Sequence, residues 1–467
     1  MKKIGFIFSS LAAALILSGC SLTPEYMRPD VKTPAWQTDY KSDENLQISQ
    51  LWWKNYNSPE LSRLIEKALA NNNDLQAALY RIEQARGGLQ IAGADLLPSA
   101  SATAAYMSGS TIPMNITDMR NNGIPKYTAN AGISYELDLF GANQAKKASA
   151  AFSLQGTEYA YDAMTLVLIG DVAQTYFNVL RLQERYELAE KNIDLAEDSL
   201  KLITARFQTG SLTSYDMTQQ ETILANRRAE ILTLEHEINI AKSALALLVG
   251  EPPQSFQVNV DRLEHIKVPE VPVLQPVDLL ERRPDIKNME AQLMAANADI
   301  GAARAAFYPD INLGTNLITV FDPAATALII ASSVYAPIFQ GGKLKGNLNK
   351  ITARQKELVE KYQQTVLKAF KESTDSMSGL AIAIKQKEAF HDAAEKSRQS
   401  YKIANQQYDV SVVDFQNVLE AERTVLQAED NYINAQYETL SASIELFKAM
   451  GGGWGANERN GDFKDER

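Results

Sequence analysis

The chain has 467 residues, of which 22% are charged, and its formal net charge is −11 at pH 7. Because phosphate binding requires a basic surface, this acidic balance argues against nucleic acid as a partner. The chain's only cysteine, Cys20, excludes an internal disulfide framework.

The first twenty residues have the pattern of an export signal. Lys2 and Lys3 precede an apolar run, residues 4–17, which leads to Ser-Gly-Cys20. This pattern predicts a signal peptide over residues 1–19. The alternative is an unprocessed chain with a buried free cysteine. Since no later apolar run approaches about 18 residues, we expect no transmembrane helix, and any membrane crossing would require β-strands in a closed barrel.

An extended, then briefly helical segment is expected after the signal, over residues 20–57. A helix is predicted to begin at Pro59, because Ser58 is a good N-cap and proline is favoured at the first helical position. The helical pattern continues to about residue 93, and Pro98 ends it.

Alternating polarity then replaces the helical pattern. Residues 99–110 and 127–139 alternate small apolar or aromatic residues with polar ones, and residues 310–320 and 328–338 do so again. Alternating segments of about ten residues near aromatics are the weak signature of membrane β-strands. The sequence therefore predicts two β-hairpins, although small soluble hairpins packed on helices are the alternative.

Two long helical hairpins are predicted from the absence of proline. All sixteen prolines lie outside residues 126–251 and 338–467, and both windows are rich in good helix formers. An uninterrupted helix of about 65 residues would be on the order of 100 Å long. Residues 209–211 and 409–411 interrupt the pattern, and we predict that each long helix folds back there.

An internal two-fold repeat relates the halves. Residues 207–250 match residues 408–451 without a gap when shifted by 201 positions, and residues 74–98 correspond to residues 285–309. A repeat of this length indicates a duplicated fold. The predicted domains are a signal peptide (1–19), a lipidated extended segment (20–57), a first repeat (58–250, with hairpins 99–139 and 142–250), a connector (251–275), a second repeat (276–452, with hairpins 310–338 and 342–450) and a flexible tail (453–467).

Four strands cannot close a barrel, because about eight are needed to enclose a filled interior. If the strands span a membrane, several chains must contribute to one barrel. The predicted fold is therefore a mixed α and β membrane protein that assembles as an oligomer.

The chain resembles the TolC-like outer-membrane factors, in particular the lipoprotein branch that serves drug and metal efflux pumps. The residues that carry the resemblance are spread over nearly the whole chain. They are the lipobox ending in Cys20, Pro24-Glu25-Tyr26 with Arg28-Pro29, Arg283-Pro284-Asp285-Ile286, residues 295–304 with Tyr308-Pro309, Leu419-Glu420-Ala421-Glu422-Arg423, and Gly451-Gly452-Gly453-Trp454.

The resemblance implies a homotrimer in the outer membrane, in which the three chains share one twelve-stranded β-barrel continued by a long periplasmic α-helical coiled-coil barrel. It implies lipidation of Cys20 as the only covalent addition, with no other cofactor. The implied partners are outer-membrane lipid, a periplasmic adaptor protein and an inner-membrane pump. The implied function is a passive exit duct of a tripartite efflux system. A structural coiled-coil lipoprotein without transport activity is the alternative.

The resemblance also implies a gate at the periplasmic tips of the helical hairpins. Asp216 and Glu420 fall at acidic ring positions, whereas Asn417 falls where many members have aspartate. Tyr408 matches a tyrosine that tethers neighbouring coils, and Arg423 lies one turn after Glu420. Carboxylates repeated around a narrow passage favour cations, and their mutual repulsion would raise their pKa values. A solvated helix face is the plainer interpretation of each of these residues.

No catalytic or metal-binding motif is present in the sequence. The three histidines, His236, His265 and His391, are widely spaced, so a zinc site is not expected. The eleven methionines are scattered, which favours core packing over a copper relay. We therefore predict that the chain is not an enzyme.

Overall fold

The computed structural model describes residues 21–37, 40, 48–106, 127–210, 212–321, 324–410 and 412–452. The predicted signal peptide, the lipidation residue Cys20 and the predicted tail 453–467 lie outside the described residues.

Within these ranges the chain forms eight α-helices and four β-strands, with 3₁₀ helices at Trp52–Tyr56 and Leu263–His265. The helices are α1 (Pro59–Asn71), α2 (Asn73–Ala94), α3 (Ala142–Gln208), α4 (Ser214–Leu248), α5 (Pro276–Arg282), α6 (Pro284–Ala305), α7 (Lys343–Asp409) and α8 (Phe415–Ala449). The strands are β1 (Ser99–Tyr106), β2 (Tyr127–Leu137), β3 (Asp310–Phe321) and β4 (Ala324–Tyr335).

The contacts divide the chain into two compact units, and each unit takes segments from both halves of the repeat. Among the described residues, one unit takes its members from residues 21–31, 80–159 and 287–364, and the other from residues 32–79, 160–286 and 365–452. The first unit holds the sheet, whereas the second holds the main aromatic core and the tips of the helical hairpins.

The four predicted strands are confirmed, and they form one antiparallel sheet in the order β1-β2-β3-β4. Successive side chains of a strand point to opposite faces, so the pairing register assigns every residue to a face. One row across the sheet is Ala102, Ala131, Leu317 and Leu328, and the adjacent row is Ser101, Gly132, Asn316 and Ile329.

The two faces differ in chemistry. The more apolar face includes Tyr106, Tyr127, Ile133, Tyr135, Leu313, Leu317, Leu328, Ile330 and Val334, together with Thr315, Thr319, Thr326 and Ser332. The more polar face includes Ser99, Ser101, Thr103, Asn130, Ser134, Glu136, Asn312, Asn316 and Ser333, together with Ile318, Ile329 and Tyr335. Side chains meet as the register requires, since the Tyr106 and Tyr127 rings lie 5.2 Å apart on one face and the Ser99 and Ser134 hydroxyls lie 2.8 Å apart on the other.

The bounds of β2, β3 and β4 differ from the prediction, β3 only in that it ends at Phe321 instead of residue 320. Residues 107–110 of the predicted first strand lie outside the described residues. The strand predicted over residues 328–338 is β4, which starts at Ala324 because Ala324 pairs with Phe321. It ends at Tyr335, and Pro337 could not donate a ladder hydrogen bond in any case. The strand predicted over residues 127–139 ends at Leu137, because the Asp138 carboxylate instead accepts from the amides of Asn143 and Gln144 at the start of α3.

The helix predicted from residue 59 to about residue 93 is interrupted, contrary to the prediction. Its N-cap is as predicted, because the Ser58 side chain accepts from the Leu61 amide. At Asn72 the backbone turns extended between α1 and α2. The Asn72 side chain accepts from the Leu75 amide at 2.9 Å and donates to the Leu248 carbonyl, also at 2.9 Å. These side-chain bonds stabilise the break.

The core of the second unit joins the 3₁₀ helix at Trp52–Tyr56 to α8. Trp52 is fully buried and stacks on Phe447 with ring centroids 4.7 Å apart. The Tyr56 hydroxyl lies 2.7 Å from the Ser443 hydroxyl. Burying a large side chain contributes roughly 1.5–3 kcal/mol, so these aromatic residues hold the N-terminal segment firmly against α8.

One helix is apolar enough to qualify as a membrane span, which differs from the expectation that none would. α3 contains an 18-residue window that passes by length and composition alone, and half of that window is buried inside the protein. Packing in the core of the second unit explains the apolar character of the buried half.

Candidate functional site at the hairpin tips

The first tip is the turn between α3 and α4. Gly210 lies in the left-handed region with a φ of 75°, which glycine adopts without strain. The Asp216 carboxylate accepts from the Thr213 amide at 2.9 Å and from the Thr213 hydroxyl at 2.7 Å. The Thr213 hydroxyl in turn accepts from the Asp216 amide, which completes a capping box. Asp216 therefore defines the start of α4.

These hydrogen bonds also favour the charged form of the Asp216 side chain. The Thr213 hydroxyl, followed by the Thr213 amide, lowers the pKa of Asp216 below its ordinary value. This direction is opposite to the one predicted from repulsion in an acidic ring. Repulsion between the Asp216 carboxylates of neighbouring copies stays a prediction about the assembly. There it would raise the pKa of Asp216 and so oppose the effect of the capping hydrogen bonds.

The second tip, between α7 and α8, lacks this capping arrangement. Asp414 occupies the N-cap position of α8, but its side chain makes no capping hydrogen bond. Asn417 is related to Asp216 by the 201-residue shift, and its amide bonds to the Asp414 carbonyl at 3.0 Å. The side chains of Asn417 and Glu420 are exposed. The two tips therefore differ in both charge and local stabilisation.

A contact between Arg206 and Tyr408 joins the last turn of α3 to the last turn of α7. The Arg206 guanidinium donates to the Tyr408 hydroxyl, and its carbon lies 4.4 Å from the centroid of the Tyr408 ring. Tyr408 is buried, and its ring packs at 5.3 Å from the ring of Phe415. Such a cation–π contact contributes about 0.5–2 kcal/mol. Tyr408 thus links helices from both repeats.

Glu420 and Arg423 line one cavity between α4 and α8, with a volume of about 450 Å³. Arg227 and Glu422, which are not among the predicted site residues, line it as well. Glu422 is buried, and burial raises its pKa despite the opposing effect of Arg227. Asp216, Tyr408 and Asn417 are not among the cavity residues, so the predicted set is divided between the turns and this cavity.

A signal for Glu422 was available in the sequence. Leu426, Ile433, Leu440 and Phe447 repeat every seven residues, and Glu422 lies four residues before Leu426, on the same seam. A carboxylate in that position is expected to be buried. No comparable pattern in the sequence marks Arg206, because its partner is 202 residues away.

The segment after Cys20 lies along α6, although Cys20 itself is outside the described residues. The Arg28 guanidinium makes two bonds to the Glu290 carboxylate, at 2.6 and 2.8 Å, and Glu290 is buried. Asn297 donates to the Pro24 carbonyl at 2.7 Å. A side chain at Gly301 would overlap Thr23, since its Cβ would lie 2.8 Å from the Thr23 Cα. The Pro-Glu-Tyr and Arg-Pro motifs therefore dock this segment.

Within the part of the chain that the structure describes, no group of three or more His, Cys, Asp or Glu side chains could hold a metal ion. Of the charged groups at the tips, Asp216 caps α4 and Arg206 contacts Tyr408 on α7.

The sequence matches known proteins over nearly its whole length. Residues 64–251 and 276–452 match the sequence model described as "Outer membrane efflux protein". The chain is 33% identical over 468 residues to the pyoverdine export outer membrane protein OpmQ of Pseudomonas aeruginosa, covering 98% of this chain and 99% of that protein.

Solved structures of similar fold support the same relationship. The outer-membrane channel OprN superposes with a TM-score of 0.85 at 26% identity, covering 93% of this chain and all of OprN. The open state of the MtrE outer membrane channel of Neisseria gonorrhoeae gives a TM-score of 0.82 at 26% identity, over 93% of this chain and 98% of that one.

Proposed function

This chain belongs to the outer membrane efflux protein family, and from that premise we propose that it forms the passive exit duct of a tripartite efflux system. The chain is an outer-membrane efflux component. In our proposal three copies share a twelve-stranded barrel, and their long helices continue it as a periplasmic tunnel.

The difference between the two faces of the sheet carries this proposal. A sheet in a membrane barrel needs one face for lipid and one for a water-filled interior, and the apolar and polar faces provide them. Leu328 and Ile330 on the apolar face are 68% and 78% exposed in a single chain. A protein that remained in water would have to cover such a surface.

The edges of the sheet support an oligomeric barrel. β1 and β4 are the edge strands, and a membrane leaves no water to satisfy their open backbone groups. In an antiparallel sheet of this order β1 and β4 run in opposite directions, so β4 of one copy can pair antiparallel with β1 of the next. Three copies then give twelve strands without an edge.

The tips are the proposed gate of the duct. Tyr408 tethers the two helical hairpins through Arg206, and Asp216 stabilises the first turn of α4. We assign Glu420 and Arg423 to the wall of the passage. Asn417 is an uncharged position in the ring that the equivalent tip residues of the three copies would form. Opening requires these contacts between helices to separate.

The anchor and the partners complete the proposal. We propose that Cys20 carries a lipid that holds the protein in the outer membrane, with no other cofactor. A periplasmic adaptor and an inner-membrane pump supply selection and energy, so the duct itself needs no catalytic group. OpmQ is named for pyoverdine export, and we propose that an exported small molecule likewise passes through this duct.

Two substitutions at adjacent positions test the assignment of the sheet faces. Leu317→Arg places a charge on the apolar face, and it costs about 2–4 kcal/mol if it lies near the bilayer midplane. Asn316→Arg places the same charge on the polar face. We expect Leu317→Arg to abolish outer-membrane insertion and heat-modifiable migration, and Asn316→Arg to preserve both. Equal insertion of the two variants would contradict the barrel and favour a coiled-coil lipoprotein that conducts nothing.

A further inference from the structure

The starts of α3 and α7 carry lysines where most helices of this chain carry an acidic side chain. Five of the eight helices, α1, α2, α4, α5 and α6, have an acidic residue in the first turn, which the positive end of the helix dipole favours. In contrast, α7 has Lys343 and Lys345 in its first turn, and α3 has Lys146 and Lys147 in its second. Positive charge at this end of a helix is unfavourable unless an anion lies nearby.

The sequence around these lysines is uniformly basic, although the whole chain is acidic, with 57 acidic and 46 basic residues. Residues 139–157 contain two basic and no acidic side chains, and residues 324–356 contain five basic and no acidic ones. Five exposed lysines at the starts of α3 and α7 form what we call the basic collar, namely Lys146, Lys147, Lys343, Lys345 and Lys350. Among the described residues, none of these five lysines forms an ion pair with a carboxylate.

The basic collar follows directly on the sheet. β2 and β4 run in the same direction in the antiparallel sheet, so α3 and α7 leave the sheet at the same edge. At 1.5 Å per residue, all five lysines lie within about 11 Å of the helix starts. The headgroup layer on each side of a bilayer is about 5–8 Å thick. In the proposed barrel the strands span the hydrocarbon, so the collar begins at the depth of the lipid headgroups.

Two contacts place the membrane boundary at the same edge of the sheet. Phe140, just before α3, stacks on Tyr308, just before β3, with ring centroids 4.6 Å apart. Aromatic side chains are enriched at the boundary between hydrocarbon and water. A Cβ at Gly141 would lie 3.6 Å from the Ser21 Cα, so the segment that follows the proposed lipid attachment residue reaches the start of α3. The aromatic pair and the anchor segment therefore lie at the level where the collar begins.

The two repeats differ in how the start of the long helix is neutralised. The Asp138 carboxylate accepts from two amides in the first turn of α3, at 3.1 and 2.7 Å. The bounds of α7 are those of α3 plus 201, so the corresponding amides are those of Leu344 and Lys345. Neither amide has an acceptor in the part of the chain that the structure describes, and Pro337 stands where the first repeat has Asp138. An oxyanion from outside the chain would take the place of that carboxylate, with lysines as its counter-charges.

We propose that the basic collar binds the phosphate headgroups of anionic phospholipids, in the leaflet of the outer membrane that faces the periplasm. The proposal rests on the proposed function, because it assumes that the sheet lies in that membrane. Basic residues next to a membrane-crossing segment attract anionic lipids, whereas a zwitterionic headgroup has no net charge to offer them. Exposed lysines without carboxylate partners suit a layer of mobile headgroups, since each side chain can reach a different phosphate. Lipid binding at this level would fix how deeply the barrel sits in the bilayer.

Native mass spectrometry of the purified protein tests the collar, because it counts the lipids that stay bound. The protein in detergent is mixed with equal amounts of phosphatidylglycerol and phosphatidylcholine that have the same acyl chains. The collar variant combines Lys343→Gln, Lys345→Gln and Lys350→Gln, and a second variant replaces the same three lysines with arginine. A matched control combines Lys385→Gln, Lys396→Gln and Lys402→Gln, which are exposed α7 positions more than about 50 Å further along the helix.

We expect the wild type, the control and the arginine variant to retain phosphatidylglycerol over phosphatidylcholine by about five-fold or more. The collar variant should lose most of this preference, and high salt should reduce it in the wild type, because exposed charges are screened. No preference in the wild type, or an equal preference in the collar variant, would overturn the proposal. If the collar variant does not fold, a wild-type preference that survives high salt would overturn it.

Insertion into the outer membrane is measured separately on the wild type. Normal insertion without a lipid preference would overturn the collar and leave the proposed duct intact. Failure of the wild type to insert would overturn the proposed barrel itself.

Discussion

The Arg283 guanidinium donates to the backbone carbonyl of Ala449 across 3.1 Å, at the C-terminal end of α8. Asn72 makes the corresponding bond to Leu248 at the end of α4. Carbonyls in the last turn of a helix have no partner within that helix, so an external donor is needed where the end is buried. In both repeats, therefore, the last helix ends on a hydrogen bond from a side chain at a break between two earlier helices. The break lies between α1 and α2 in the first repeat and between α5 and α6 in the second.

The hydrogen bonds that Arg283 and Asn72 make to these helix ends should differ in strength. Arg283 is buried and also bonds to Asp285 and Glu372, whereas Asn72 offers a neutral amide. Because hydrogen bonds involving charged groups contribute about 1.5–3 kcal/mol, Arg283→Met should lower the free energy of unfolding by about 2–3 kcal/mol. Asn72→Ala should lower it by about 1 kcal/mol. Thermal unfolding in detergent measures both, and an equal or reversed order would contradict this assignment.

The bond between Arg28 and Glu290 should hold the N-terminal segment on α6. Removing Arg28 leaves the buried Glu290 carboxylate without its charged partner. Breaking a fully buried pair costs about 3–5 kcal/mol, and the cost here is smaller because the Arg28 side chain is 39% exposed; replacing both residues with apolar ones costs less still. We therefore expect Arg28→Met to expose residues 21–31 to protease more than Arg28→Met combined with Glu290→Met. The exposed pair Asp198–Lys201 supplies a control, since Lys201→Met should change nothing. Identical digestion of the single and double variants would refute the buried-pair explanation.

Glu422 should make the tip less stable at neutral pH. Burial raises its pKa, so the folded state favours the protonated form, and the charged form is unfavourable above that pKa. Glu422→Gln should therefore raise the melting temperature at pH 7, and the gain should vanish below about pH 4, where the wild-type side chain is protonated. Glu221→Gln at the exposed repeat-related position is the matched control. A pH-independent effect would show that burial of the charge is not the cause.

The Arg206–Tyr408 contact should keep the tips together. Tyr408→Phe removes the hydroxyl but keeps the ring against Phe415, whereas Arg206→Met removes both the hydrogen bond and the cation–π contact. Channel opening should therefore be more frequent for Arg206→Met than for Tyr408→Phe. Arg228→Met, which removes a more exposed ion pair with Glu197, should leave the opening frequency unchanged. If Arg228→Met had the same effect, a general loss of positive charge would explain the result.

The features that sequence could predict are those with a local physical cause. The absence of proline predicted the long helices, and alternation predicted the four strands of the sheet. The resemblance placed Asp216 at the first tip as a gate residue, and that role stays a prediction. The local sequence did not reveal that the Asp216 carboxylate also caps α4.

The features that sequence reasoning missed depend on partners far along the chain. The break at Asn72 is stabilised by Leu248, 176 residues later, and nothing in the residues around Asn72 reveals that partner. Arg206 likewise meets Tyr408 across two repeats. β4 starts at Ala324 because Ala324 pairs with Phe321, and this pairing exists only once the sheet has formed.

The central claim, that this protein is a duct closed at its tips, is tested most directly by single-channel conductance in a planar bilayer. The purified protein is measured beside the Asp216→Ala, Glu420→Ala double variant, and insertion of both as oligomers is verified first. We predict discrete, cation-selective openings, with altered ion selectivity or larger conductance in the double variant because the acidic residues and a helix cap at the tips are removed. Silence from both proteins, properly inserted, would contradict the duct and favour a structural lipoprotein.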